Sequence, residues 1–308
     1  MGQVIFFAVL TLILIVAGFF VPVAGFFALM LCPLPLAVCA CGEGHKKAAF
    51  AEIIVEAVLL LAISPTMALY FLLGCAPLSG TILILSESKK YKSSENYLIC
   101  VAVSIVSKLF VMFVFWMFTG KNILLPDANA VKILMSQIYG NDREIKNLLN
   151  QVLIIFPKMI PAILILFSSL EAFLNYSLCN ILVKKFYPSK KHPEDFPAFT
   201  SWRFPKSLMT VLFFALMIGY FTDFDDHPDL AMFAINLQIL INFIMYAEGF
   251  SLIFWFMNRY KFNKIFKSLG GILLLFFPFL WAWVIIMGMC DNVFNFREKL
   301  SGSCNLKK

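Results

Sequence analysis

A chain of 308 residues, 61% hydrophobic and only 14% charged, with 35 phenylalanines, is excluded from the water-soluble class, where about 25% of residues carry charge. The apolar surplus exceeds what a core of this size can bury, so lipid has to cover it. A net charge of +7 admits nucleic acid as a partner, but the placement of that charge points to a membrane surface instead.

Val4 to Gly42, Ala57 to Ser86 and Ser207 to Thr222 contain no charged residue. A helix needs about 20 apolar residues to cross hydrocarbon, and the alternating ten-residue pattern of a barrel strand is absent. The sequence therefore predicts an all-α integral membrane protein of a bacterial inner membrane. It reads as one polytopic domain over 1–308 with about nine spans: 4–20, 22–41, 48–63, 65–86, 96–118, 153–183, 206–222, 230–257 and 268–290. Pro22 and Ser64-Pro65 separate adjacent spans, because the residue before a proline is driven out of the α region. Met1-Gly2-Gln3 supplies no basic n-region, so the first span is expected to be a retained anchor rather than a cleaved signal peptide.

The loops at 44–47, 89–92, 184–206 and 259–267 hold fifteen of the 25 Lys and Arg residues and fall on one side of the predicted bundle. Positive loops stay in the cytoplasm, which predicts a cytoplasmic N-terminus and, with nine spans, an extracytoplasmic C-terminus. The basic face suits anionic headgroups or a docked cytosolic partner. On the other side lie the acidic hairpin Asp223, Asp225, Asp226, Asp229 and the segment 119–152. In that segment Ala130 to Tyr139 is amphipathic and Gly140-Asn141-Asp142 offers a helix start. Interfacial helices are expected there, serving as a connector or as a lid over an outward-facing pocket.

Ionisable groups inside spans cost roughly 2.5–3.5 kcal/mol each on insertion scales, and each needs a reason. Glu52, Glu56, Lys108, Glu171 and Glu248 are the five. At 1.5 Å per residue, Lys108 and Glu171 both fall roughly 18 Å deep, while Glu56 and Glu248 fall near ~13 Å; Glu52 reaches the interface. Lys108 is too deep to snorkel, so it is expected to pair with Glu171. Helical spacing places Ser168, Glu171 and Asn175 on one face of the sixth span, with Ser169, Tyr176 and Asn180 opposite. In the eighth, Gln238, Asn242, Tyr246 and Gly249 form a stripe beside Glu248. Such stripes either bond helices together or line a cavity for a polar solute. The candidate solute site is Glu56, Lys108, Ser168, Glu171, Asn175, Gln238, Asn242 and Glu248.

Catalytic and cofactor chemistry finds no foothold. The eight cysteines make no CxxC pair and no zinc spacing and read as small packing residues. The sequence shows no Gly-rich phosphate loop, His-based metal constellation or nucleophile motif, so no cofactor, metal or catalytic residue is assigned. Ala24 and Ala28 form a small-xxx-small pair in the second span.

Pro33-Leu34-Pro35-Leu36, Trp202-Arg203-Phe204-Pro205, Glu248-Gly249, Gly288-Met289-Cys290-Asp291 and Phe294-Asn295-Phe296-Arg297 resemble features of the YybS-like family of bacterial membrane proteins. That resemblance implies a fold related to the substrate-binding S-components of energy-coupling-factor transporters. Trp202 and Pro205 also read physically as an interfacial anchor and a helix start, and Asp291 and Arg297 as a pair at the outer interface. Two functions follow. One is a transport-related component that binds a small solute and is energised by an ATPase and coupling subunits on the basic face, or by protonation of Glu171 or Glu248. The other is a membrane scaffold that recruits envelope or signalling proteins; an intramembrane enzyme comes third.

Overall fold

Hydrocarbon supplies no hydrogen bonds, so a backbone inside it must satisfy its own N–H and C=O groups. The computed structural model describes residues 1–21, 24–88, 91–120, 133, 143–221 and 228–305, and all regular structure among them is helical. Contacts group them into two units, Met1–Phe196 and Pro197–Lys308, where the sequence reads as a single domain.

The first unit begins with α1 (Gly2–Phe20), α2 (Ala24–Leu31) and α3 (Pro33–Glu43). Pro33 has no N–H to continue α2, and the chain tightens there through a Cys32 N–H to Leu29 carbonyl bond of 3.2 Å. α4 (His45–Val58) runs on into a π-helical turn, Leu59–Ile63. Ser64 then caps α5 (Pro65–Tyr70) by accepting from the Thr66 amide at 3.3 Å. A second π turn, Phe71–Cys75, joins α5 to α6 (Ala76–Glu87). α7 (Ser93–Thr119) and α8 (Arg143–Phe186) complete the unit. α8 starts just past the predicted Gly140-Asn141-Asp142 signal and carries Pro157 and Pro161 inside it. Most of the expected interfacial segment 119–152, including Ala130 to Tyr139, lies outside the described residues.

Apolar clusters hold these helices, and two of them are large. One joins Val4, Ala8 and Ile15 of α1 to Val55, Leu59 and Phe71. The other joins Ala37 and Val38 of α3 to Leu78, Ile82, Cys100, Ala172 and Tyr176. The close approach of α1 and α2 falls at Gly25, one residue from the expected Ala24–Ala28 pair. A Cβ at Gly25 would meet the carbonyl oxygen of Gly18 at 2.6 Å.

The second unit holds α9 (Lys206–Phe221), α10 (Pro228–Arg259), α11 (Lys264–Phe276), α12 (Pro278–Phe294) and α13 (Phe296–Asn305). α11 folds back along α10: Lys267 donates to Asn258 at 2.6 Å, and the Tyr246 hydroxyl donates to the Leu274 carbonyl at 2.9 Å. α12 then crosses α10 where Gly249 meets Gly288. A Cβ on Gly249 would stand 1.9 Å from the Val284 carbonyl oxygen, and one on Gly288 2.0 Å from that of Met245. Past that crossing the chain is tied to the loop before α9. Asn292 donates to the Phe204 carbonyl at 3.2 Å and Arg203 to Glu298 at 2.7 Å, while Arg259, at the end of α10, donates to the Leu300 carbonyl at 2.7 Å.

The nine-span reading is corrected. Six helices among the described residues are long and apolar enough to cross a membrane, or seven if one bent pair counts as a span. The third expected span fails because α4 carries Lys46, Lys47, Glu52 and Glu56. The seventh is shorter, with Met209–Phe221 as its apolar helix. The ninth is two helices bent by 105°, because Pro278 forces Phe277 to φ −105, ψ 98, outside the helical region.

The α10–α12 crossing gives a stability prediction. Gly249→Val should cost at least about 1–3 kcal/mol through overpacking and lower the thermal midpoint in detergent. Gly80→Ala, where an added Cβ meets nothing within 4 Å, should leave it unchanged or raised.

Candidate functional site

α7 and α8 build a charged centre in the first unit. Ser104 and Lys108 lie one helical turn apart on α7, so both side chains face the same neighbour. Lys108 pairs with Glu171 of α8 and also donates to the Ser104 hydroxyl at 2.6 Å. Ser104 in turn donates to Glu171 at 2.5 Å. Glu171 is 1% exposed, so two donors meet a carboxylate that water does not reach. One turn further along, Asn175 donates to the carbonyls of Met30 at 2.7 Å and Glu171 at 2.8 Å. Met30 lies just before the break at Pro33, where the helical ladder is interrupted. Ser168, one turn before Glu171, is fully buried and its hydroxyl has no partner among the described residues.

A cavity of about 300 Å³ opens beside this centre. α7 lines it with Lys108, Val111 and Met112, α8 with Phe156, Ile160, Ile163, Leu164 and Phe167, and Phe26 and Tyr70 close it. Lys108 Nζ also sits 5.1 Å from the centre of the Phe167 ring, a cation–π distance. The walls are thus apolar and the single charged lining group is cationic.

A second polar centre lies within the second unit. Glu248 of α10 accepts from Asn292 of α12 at 3.2 Å. Asp291 pairs with Arg297 at 2.9 Å. Arg297 also donates to the carbonyls of Thr200 at 2.7 Å and Trp202 at 3.2 Å, to Ser251 at 3.1 Å and to the Glu248 carbonyl at 3.2 Å. Glu248, Ser251, Asp291, Asn292 and Arg297 are all buried. The Asp291–Arg297 pair read from the sequence exists, but it is buried against the Thr200–Trp202 loop instead of standing at an interface. The motif residues Trp202, Glu248-Gly249, Gly288, Asp291 and Arg297 converge on this one cluster.

The candidate residues therefore separate. Lys108, Glu171, Ser168 and Asn175 gather in the first unit. Glu56, half-buried, lines a different hollow of about 390 Å³ with Leu60, Thr66 and Phe118. Glu248 belongs to the second unit, where Gln238 is exposed and Asn242 half-buried on α10. Sequence reasoning missed Ser104, Ser251 and Asn292. Ser104 carried a legible signal, since it precedes Lys108 by four residues. Asn292 carried none, because its partner is 44 residues away. Among the described residues no group of three or more His, Cys, Asp or Glu side chains could hold a metal.

A family described as "Predicted membrane protein (DUF2232)" matches residues 9–292. The Uncharacterized protein YybS of Bacillus subtilis (strain 168) is 23% identical over 307 residues, covering 96% of this chain and 94% of that protein. No solved structure matches the chain.

Breaking the buried pair should be asymmetric. Lys108→Ala or Glu171→Ala leaves the other charge uncompensated and should cost about 3–5 kcal/mol, whereas Lys108→Met with Glu171→Leu should recover most of it. Thermal unfolding of the three variants in detergent measures this; a loss in the double variant equal to the sum of the two single losses would show that the pair does not couple.

Proposed function

The chain belongs to the DUF2232 family of predicted membrane proteins, and we propose that it is a transport-related membrane component that binds a small anionic amphiphile in the first unit. The observation that carries this reading is the apolar cavity ending on Lys108. An acyl or aromatic body would fill the apolar walls, and an anionic group would compete with Glu171 for the ammonium. Ser104 bridges the two charges, so its hydroxyl can turn from Glu171 to the ligand. Ser168 and Asn175 extend the same face. Glu56 and Glu248 stand in separate surroundings and are left out of this site.

Energy would come from ATPase and coupling subunits on the basic face, since the chain has no nucleotide motif. We place the basic loops and the N-terminus in the cytoplasm of a bacterial inner membrane. The bonds from α13 and the end of α12 to residues 200–204 support a C-terminus on that same face, in place of the outward one expected from nine spans. A fully paired Ser104–Lys108–Glu171 triad also suits a scaffold in which the centre only locks helices, and the experiment separates the two.

Native mass spectrometry of the full chain, purified in mild detergent, should show a co-purifying anionic amphiphile. Met112→Trp, which fills the cavity, should remove it without lowering the thermal midpoint. Lys108→Gln should weaken it roughly 10–100-fold, the loss of one charge-assisted bond. Retention of the ligand by both variants would sink the proposal; a protein free of ligand, with envelope or signalling proteins bound, would establish the scaffold. Separately, a C-terminal fluorescent fusion should mature in the cytoplasm, and a C-terminal alkaline phosphatase fusion should stay inactive.

A further inference from the structure

The first unit holds a second ligand-sized site, at its basic end and independent of the amphiphile cavity. The chain leaving α8 doubles back there and is pinned at several points. Lys184 pairs with Asp195, which also accepts from Asn180 at 2.7 Å. That contact with the Lys184 ammonium holds the Asp195 carboxyl below its usual range. The Phe196 ring packs on Tyr176 at 5.1 Å and Tyr97 at 5.7 Å between centroids, and Pro193 is buried. A loop ordered at this entropic cost presents whatever lies between its pins in a fixed place.

Between the pins lie Ser189, Lys190, Lys191 and His192. A cleft of about 360 Å³ is lined by those four with Ser86, Ser88 and Glu194. Lys190 and Lys191 also line an adjoining hollow of about 230 Å³, with Ser86, Glu87 and Gly44. Gly44 precedes α4, whose first amides have no side-chain cap and point to an electropositive helix end. Lys47 and Lys184 are spent on Glu43 and Asp195. Lys190 and Lys191 have no carboxylate partner among the described residues. The adjoining hollows share these two lysines, with Glu194 in one, Glu87 in the other and serine hydroxyls beside them.

We infer that Lys190 and Lys191, with Ser88, Ser189 and His192, form a binding site for a phosphate group. The clefts lie where the apolar helices α3 and α6 end, at Glu43 and Glu87. Basic pockets between helices on the cytoplasmic side bind headgroup phosphates. The source is an anionic phospholipid or a soluble phosphate monoester, and the same chemistry serves both.

The test uses the full chain in detergent, followed by native mass spectrometry with phosphatidylglycerol, phosphatidylcholine or sn-glycerol 3-phosphate added. Phosphatidylglycerol should be retained over phosphatidylcholine. Lys190→Gln with Lys191→Gln should weaken it by about tenfold or more, from roughly fivefold per lysine, and Lys264→Gln should not. Displacement by sn-glycerol 3-phosphate in the wild type would assign the same site to a soluble ester. Equal binding of phosphatidylglycerol by the wild type and the double variant, with no glycerol phosphate bound, would overturn the inference. Since Lys190 and Lys191 are exposed, the variants should fold, and an unchanged ligand-free thermal midpoint checks that.

Discussion

A charge taken into hydrocarbon has to find its partner in the same chain. The pairing of Lys108 with buried Glu171 is the point where the first unit meets that demand. Removing either partner would leave a bare ion where no water can follow. α7 and α8 are consequently fixed in register as well as in contact, because the bond forms only when Ser104, Lys108 and Glu171 stand at one level. Asn175 extends the constraint to the break between α2 and α3 by bonding the Met30 carbonyl. The apolar cavity lined by Lys108 lies beside this register, and its position follows from it.

Packing within each unit inverts the habit of a soluble core. Large side chains such as Phe213, Phe214, Phe221 and Phe276 are exposed, and alanines, cysteines and serines are common among the buried residues. Helices in lipid gain little from burying one apolar surface against another, so they associate through close backbone approach and polar bonds. Gly18 against Gly25 and Gly249 against Gly288 provide that approach. Cysteines serve the same end: six of the seven described are buried and all seven are free thiols. Cys41 lies 4.0 Å from Cys179 and 3.4 Å from the Ser86 hydroxyl, as weakly polar packing.

The common level of Lys108 and Glu171 was legible in the sequence, and the direction of the other charged groups was not. Counting residues from the basic loops put Lys108 and Glu171 at one level, and they pair. The same counting set Glu56 and Glu248 close to that level, yet they occupy other surroundings. Rise along an axis says nothing about which helix stands next to which. Asp291 and Arg297 were legible as a pair because they lie six residues apart. Their burial against Thr200 and Trp202 was hidden by the apolar run 268–290, which reads as one straight span. The bend at Phe277–Pro278 rests on a single proline, and prolines inside α8 cause no such break. Only packing of α11 along α10 decides between a kink and a reversal.

The Arg297 cluster also orders events during synthesis. Its guanidinium closes on carbonyls made nearly a hundred residues earlier, at Thr200 and Trp202. α9 and α10 must therefore wait in the membrane, with that loop unclosed, until the segment that carries Arg297 leaves the ribosome. A chain released just short of Arg297 would hold every apolar helix and still lack its clasp. Glu248, Ser251 and Asp291 would then be buried without their common donor, a state that quality-control proteases of the membrane are placed to recognise.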